Sequence, residues 1–189
     1  MSVRNCSVYI HNEQGTDHSI RWLPYQSEFS SGKIGDWATG GGNVKSATRT
    51  LLIDDYEPWR RFLCSILQKE TELQVIGEAA DGLEAVQKAE ELQPDLILLD
   101  IGLPKQNGIE AARQIEKLCP KSRILFLSEQ SSTDVVQEAL NTGGYGYVVK
   151  SDAGTELIAA VEAVVRGEQF VGRRFAEAWG AAAGARTPC

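Results

Sequence analysis

The sequence predicts an α/β fold in which helices cover both faces of a parallel β-sheet. Between residue 50 and about residue 165, short apolar runs alternate five times with segments whose apolar residues recur at helical spacing. Only a few residues connect successive elements, so strict alternation implies parallel strands joined by right-handed crossovers. The central run, Leu96–Leu99, contains four consecutive aliphatic residues, which is typical of a strand buried on both faces.

Each element has its own sequence signal. The five predicted strands are apolar runs that end near polar or glycine-containing turns: Thr50–Asp54, Leu73–Glu78, Asp95–Leu99, Arg123–Leu127 and Tyr145–Val149. The five predicted helices follow these strands, and their apolar sides contain Trp59 and Leu63, Val86 and Ala89, Ile109 and Ile115, Val136 and Leu140, and Leu157 and Val161. Asp81 and Asn107 are predicted N-caps. The pattern suits a flavodoxin-like doubly wound (βα)5 sandwich with strand order 2-1-3-4-5.

Composition excludes several functional classes. A net charge of −7 argues against a general surface for nucleic acid or anionic membranes. No apolar run approaches the roughly 20 residues that span a bilayer. His11 and His18 are the two histidines and both precede the predicted fold, so a histidine-based site has little support. The four cysteines are widely spaced, which is typical of free thiols in a reducing cytoplasm.

The chain divides into three predicted regions. Residues 1–48 are rich in Ser, Gly, Asn and Thr without a sustained period, and we expect a disordered or loosely packed extension. Residues 49–172 form the predicted α/β domain. Residues 173–189 are a short tail.

Chemically matched residues stand at the ends of four predicted strands. Asp54 and Asp55 follow the first, Asp100 the third, Ser128 the fourth and Lys150 the fifth. Carboxyl ends of parallel strands meet at one sheet edge, where ligands bind. Three close carboxylates repel one another unless a cation joins them, and Mg²⁺ suits such oxygen ligands. Lysine and serine can hold phosphoryl oxygens, and an aspartate can be the nucleophile, so the set predicts phosphoryl transfer onto a carboxylate.

Residues 50 to about 170 resemble the receiver (CheY-like) domain of bacterial two-component response regulators. The resemblance rests on Asp54-Asp55, Leu98-Leu-Asp100-Ile-Gly-Leu-Pro104, Ser128 and Gly146-Tyr-Val-Val-Lys150. Two further runs are similar to the class that usually carries a C-terminal helix-turn-helix domain: Asn107-Gly-Ile-Glu-Ala-Ala and Ala160-Val-Glu-Ala-Val-Val-Arg-Gly.

The resemblance implies a role for each residue of the metal site. Asp100 would be the phosphoacceptor. Asp54 and Asp55 would bind Mg²⁺, or Mn²⁺ in its place, with Asp55 the more direct ligand. The backbone carbonyl of Gly102 and the Asp100 carboxylate would complete the protein ligands.

The resemblance to the receiver domain also implies a conformational switch. Lys150 and Ser128 would bind the phosphoryl group, and Tyr147 occupies the aromatic switch position. Movement of Ser128 toward the phosphate would vacate space that Tyr147 can fill, which shifts the population of surface conformations around helix 4, strand 5 and helix 5.

Three departures from the family pattern stand out. Glu129 follows Ser128, where a small residue is usual, and its charge would tune phosphorylation or dephosphorylation. Ser151 follows Lys150, where many relatives have a proline in a cis bond. About 17 residues follow Gly172, and they contain no DNA-binding domain that we can identify.

We therefore expect a cytoplasmic single-domain response regulator. It would accept a phosphoryl group from the phosphohistidine of a sensor histidine kinase or from a phosphotransfer protein, and act on a downstream protein. A second copy of the chain is a further candidate partner, and nucleic acid and membrane are not expected. Three alternatives stay open: a truncated DNA-binding transcriptional regulator, a phosphorylation-independent interaction domain, and a Mg²⁺-dependent phosphohydrolase. Gly102 argues against the last, because enzymes of the haloacid-dehalogenase type place a general-acid aspartate there.

Overall fold

The computed structural model describes residues 47–175. In this part of the chain one parallel sheet has the strand order β2-β1-β3-β4-β5-β6. The strands are β1 (Thr48–Ile53), β2 (Leu73–Ala79), β3 (Leu96–Asp100), β4 (Arg123–Ser128), β5 (Gly146–Val149) and β6 (Phe170–Val171). The helices are α1 (Glu57–Leu67), α2 (Gly82–Leu92), α3 (Gly108–Leu118), α4 (Thr133–Asn141) and α5 (Ala153–Arg166).

The predicted α/β fold and the strand order 2-1-3-4-5 are confirmed. All five predicted strands are present, and their ends differ from the predicted ends by at most two residues. The sheet has a sixth strand, β6, beside β5, so the prediction of five strands is incomplete. Two residues are too few to show an apolar period, which is why the sequence pattern does not indicate β6.

The core lies on both faces of the sheet. Alternate residues of a strand point to opposite faces, and Leu51 and Leu52 accordingly belong to different apolar clusters. One cluster joins the sheet to α2, α3 and α4, while the other joins it to α1 and α5. All five residues of β3 are buried, as expected for a strand covered on both sides.

Both predicted N-caps fix where helices begin. Asp81 accepts hydrogen bonds from the backbone N–H groups of Leu83 and Glu84, at 3.0 and 2.9 Å. Asn107 accepts one from the N–H of Glu110 at 2.9 Å. These contacts satisfy orphan donors of the first turn, and they start α2 and α3 close to the carboxyl edge of the sheet.

The start of α3 packs directly on the strand that ends at Asp100. The N–H of Gly108 donates to the carbonyl oxygen of Ile101 at 2.9 Å. A Cβ atom built on Gly108 would lie 1.9 Å from the carbonyl oxygen of Asp100. Only glycine permits this approach, so the start of α3 packs against the backbone of Asp100 at the end of β3.

Several predictions concern residues that lie wholly or mostly outside the described range. These are the extension over residues 1–48 and the tail over residues 173–189. Of the four cysteines, Cys64 and Cys119 fall within the range, and both are buried. None of the helices between residues 47 and 175 is long and apolar enough to cross a bilayer.

Gly108 is tightly packed and Gly154 is not, so substitution of each by alanine should change the free energy of unfolding in opposite directions. Gly108→Ala should lower the free energy of unfolding by about 1–3 kcal/mol, because the new methyl group overpacks against the Asp100 backbone. Gly154→Ala, where nothing lies within 4 Å of the new atom, should raise it by up to about 1 kcal/mol through helix propensity. Urea denaturation measures both. Equal stability of the two variants would contradict the packing that we describe.

Candidate functional site

Four strands deliver the predicted site residues to one edge of the sheet. Asp54 directly follows β1, Asp100 ends β3, Ser128 ends β4, and Lys150 directly follows β5. Asp54, Asp100 and Ser128 are almost fully buried, whereas Asp55 is exposed. The edge therefore has a buried floor and an acidic rim open to solvent.

Lys150, whose side chain is 9% exposed, joins two of the carboxylates. Lys150 Nζ lies 2.6 Å from Asp54 Oδ2 and 3.3 Å from Asp100 Oδ2. The other oxygen of Asp54 accepts a hydrogen bond from the N–H of Tyr56 at 3.0 Å. Asp54 Oδ2 has no further hydrogen-bond donor between residues 47 and 175, so the Lys150 charge is what offsets its burial.

The same surroundings shift the proton affinities of this pair. Burial raises the pKa of Asp100, an effect that the Lys150 charge opposes and the Asp54 charge reinforces. Burial alone would lower the pKa of Lys150, but its contact with Asp54 and the charges of both carboxylates raise it above the ordinary value. The ammonium group is thus held in its charged form beside the carboxylates.

The carboxylates also form a group that could hold a metal ion. Asp54, Asp55 and Asp100 each offer an oxygen atom, and these atoms lie within 4.8 Å of one another. Three carboxylates and one lysine leave the cluster with about two net negative charges when all are ionised. Hard divalent cations prefer such oxygen ligands. The donor set therefore fits a divalent cation, which would compete with Lys150 for Asp54.

Ser128 and Tyr147 meet at the turn after β4. The Ser128 hydroxyl oxygen accepts a hydrogen bond from the N–H of Gln130 at 3.2 Å, and the Tyr147 hydroxyl donates to the Gln130 carbonyl oxygen at 2.9 Å. Tyr147 is completely buried, and burial raises the pKa of its hydroxyl. The aromatic side chain already occupies an interior position in this structure.

The structure shows where two of the departures from the family pattern, Glu129 and Ser151, lie. Glu129 is exposed directly after Ser128, at the rim of the site. Lys150–Asp152 forms one turn of 3-10 helix that leads into α5, and no peptide bond between residues 47 and 175 is cis. Ser151 donates from its hydroxyl to Asp152 Oδ1 at 3.1 Å. The loop therefore continues from β5 into α5 through a short trans turn.

The sequence did not indicate two residues of α1 that support the site. The Trp59 ring centroid lies 5.7 Å from Lys150 Nζ, within the range of a cation–π contact. The Arg60 guanidinium donates to the carbonyl oxygen of Asp54 at 2.7 Å and to Glu78 Oε2 at 2.8 Å. Apolar periodicity identifies Trp59 only as a packing residue, and the sequence pattern gave Arg60 no role. The one sequence feature that could have suggested their role is their position in the first turns of α1, shortly after Asp54-Asp55.

Comparison with known proteins identifies the family of this chain. The sequence profile of the response regulator receiver domain matches residues 50–162. The response regulator protein VraR of Staphylococcus aureus is 37% identical over 120 residues, which are 64% of this chain and 57% of VraR. The chain thus covers little more than half the length of this curated relative.

Solved structures give the same result. A two-component response regulator of the LuxR family from Aurantimonas sp. SI85-9A1 is 30% identical with a TM-score of 0.69, over 74% of this chain and 99% of that chain. The response regulator domain of Thermotoga maritima CheB is 31% identical with a TM-score of 0.59, over 64% and 97%. The chain belongs to the response regulator receiver domain family, the receivers of two-component signalling.

Proposed function

We propose that Asp100 accepts a phosphoryl group from a phosphohistidine. One Asp100 carboxylate oxygen attacks phosphorus, the phosphorus–nitrogen bond breaks, and the new bond makes an acyl phosphate on Asp100 while the imidazole departs. The observation that carries the proposal is the meeting of three carboxylates and one lysine at the edge where β1, β3 and β5 end. Their charges suit a transition state that is rich in negative charge.

The remaining residues have distinct roles in this proposal. Asp54, Asp55, Asp100 and the Gly102 carbonyl would hold Mg²⁺, which supplies positive charge to the phosphoryl oxygens. Lys150 exchanges part of its contact with Asp54 for a phosphoryl oxygen. Ser128 donates its hydroxyl proton to another phosphoryl oxygen. Trp59, whose ring centroid lies 5.7 Å from Lys150 Nζ, flanks the lysine on the α1 side.

The output would be a change of surface rather than turnover of an external substrate. A phosphoryl group adds about −1.5 to −2 charge, and Ser128 and Tyr147 share the Gln130 backbone through which a shift can spread. The donor would be a sensor histidine kinase or a phosphotransfer protein in the cytoplasm, and the receiver of the signal a downstream protein or a second copy of the chain.

A second candidate function is the receiver part of a larger DNA-binding regulator. Its support is the partial coverage of VraR, 57% of that protein, and the likeness to a LuxR-family regulator. A mobility-shift assay with random duplex DNA tests whether this chain binds DNA by itself. Since the chain carries a net charge of −7, we expect no shift from this chain alone.

Mass spectrometry tests the phosphoacceptor. Incubation with acetyl phosphate and Mg²⁺ should add one phosphoryl group, about 80 Da from the atomic masses, to the wild-type chain. Asp100→Asn should abolish the gain in mass. Asp95→Asn, at an exposed aspartate directly before β3, is the control and should keep it. A gain that persists in Asp100→Asn would refute the assignment.

Removal of Lys150 tests the charge balance. Lys150→Met leaves two buried carboxylates without their counter-charge and should lower the free energy of unfolding by about 3 kcal/mol without Mg²⁺. Millimolar Mg²⁺ should restore part of the loss, because the ion takes over the positive charge. Lys121→Met, at an exposed lysine, is the control and should change little. The idea fails if Mg²⁺ stabilises neither variant nor wild type in urea denaturation.

Glu129 should slow phosphorylation through its negative charge at the rim. Glu129→Gln should raise the rate of phosphorylation by acetyl phosphate about two- to fivefold at low ionic strength, and the gain should shrink in 0.5 M salt. Glu116→Gln, at an exposed glutamate near the C-terminal end of α3, is the control and should leave the rate unchanged. An unchanged rate at both salt concentrations would exclude this role.

A further inference from the structure

The chain returns to the sheet after α5. Helix α5 ends at Gly167, which adopts a left-handed conformation with φ of 84°. The chain then reaches β5, where the N–H of Phe170 donates to the Tyr145 carbonyl oxygen and the N–H of Gly172 to the Tyr147 carbonyl oxygen, both at 3.0 Å. We call residues 170–175 the return segment. Its backbone hydrogen bonds flank Tyr147 directly.

The return segment also covers the Tyr147 side chain. Phe175 is 4% exposed, and its ring meets the Tyr147 ring edge-on, with centroids 6.0 Å apart and an interplanar angle of 89°. This is a favourable arrangement for two aromatic rings. Both rings belong to the apolar cluster that joins α2, α3 and α4 to the sheet. Tyr147 therefore has Phe175 on one side and the turn after Ser128 on the other.

Acidic side chains near the start of α5 attach the return segment. Glu156 Oε1 accepts a hydrogen bond from the N–H of Arg173 at 3.1 Å, and the Arg174 guanidinium lies 3.1 Å from Asp152 Oδ1. The other Glu156 oxygen is buried, and no residue between 47 and 175 donates a hydrogen bond to it. A buried oxygen without a donor carries a free-energy penalty, so the attachment is incomplete and a modest change can shift it.

A continuous set of contacts links the return segment to the site. Ser128 and Tyr147 both bond to the Gln130 backbone, and Tyr147 packs on Phe175. In the proposed function, Ser128 moves toward the phosphoryl group and the interior position of Tyr147 becomes more favourable. The return segment packs on Tyr147 in that interior position.

We propose that the return segment holds Tyr147 in its interior position, so that docking of this segment and phosphorylation of Asp100 favour each other. The inference rests on the proposed function. Coupling of this kind is reciprocal: the factor by which phosphorylation strengthens docking equals the factor by which docking strengthens binding of a phosphoryl mimic. The part of the chain that follows Phe175 is thereby connected to the phosphorylation site.

Amide hydrogen exchange of the full chain, followed by NMR, tests the proposal. Beryllofluoride with Mg²⁺ serves as the phosphoryl mimic, and the reporters are the amides of Phe170, Gly172 and Arg173. In the wild type, saturating beryllofluoride should raise their protection about fivefold or more. Phe175→Ala should remove this increase and weaken beryllofluoride binding by the same factor. Phe175→Leu keeps most of the apolar volume and carries the test if the alanine variant does not fold.

Leu118→Ala, at an exposed leucine of α3, is the control and should keep both the increase and the affinity. Unchanged protection of the reporter amides in the wild type with beryllofluoride bound would overturn the inference and leave the proposed function intact. Equal beryllofluoride affinity of the wild type and of the Phe175 variant that folds would also overturn the inference without affecting the proposed function. If the wild type binds no beryllofluoride and gains no phosphoryl mass, the proposed function fails and the coupling fails with it.

Discussion

The contact between Lys150 and the carboxylates of Asp54 and Asp100 is the interaction on which the site depends. Two charges about 4 Å apart attract by about 4 kcal/mol at an effective dielectric constant of 20, while burying each ion costs several kcal/mol. The two effects nearly cancel, so the contact adds little net stability. In the proposed function, a metal ion or a phosphoryl group would therefore replace one partner of this contact at small net cost in free energy. In the proposed function, the side chains of Lys150, Asp54 and Asp100 would therefore change their ionic partners.

The fold supplies this cluster through backbone packing. Parallel strands end at one edge, so residues distant in sequence arrive within ion-pair distance. Gly108 lets α3 approach the Asp100 carbonyl, and Arg60 holds the Asp54 carbonyl. The side chains of these aspartates can therefore change partners while their main-chain atoms stay fixed by hydrogen bonds and packing. Fixed main-chain positions of this kind would keep the reacting groups oriented in the proposed phosphoryl transfer.

The sequence predicted the five main strands, their order and the meeting of Asp54, Asp55, Asp100 and Lys150 at one sheet edge, because these features follow from patterns within single elements. An aliphatic run ending in Asp100, or a strand ending before Lys150, is visible without coordinates. Trp59 and Phe175 were not predicted as parts of the site and its surroundings, because their contacts with Lys150 and Tyr147 cross from one element to another. The two-residue strand β6 has no period of its own and exists through pairing with β5. Contacts of this kind depend on tertiary packing, which a single sequence does not display.

The interior position of Tyr147 bears on how such a domain can signal. If the ring had been exposed, phosphorylation would have had to drive the whole movement into the core. Here the ring is already buried, held by the Gln130 carbonyl and by Phe175. A phosphoryl group then needs only to change the relative stability of two arrangements of one turn. Since a population shift needs only a differential interaction free energy between the two states, the packing around Tyr147 would, in the proposed function, determine how strongly phosphorylation of Asp100 influences the surface.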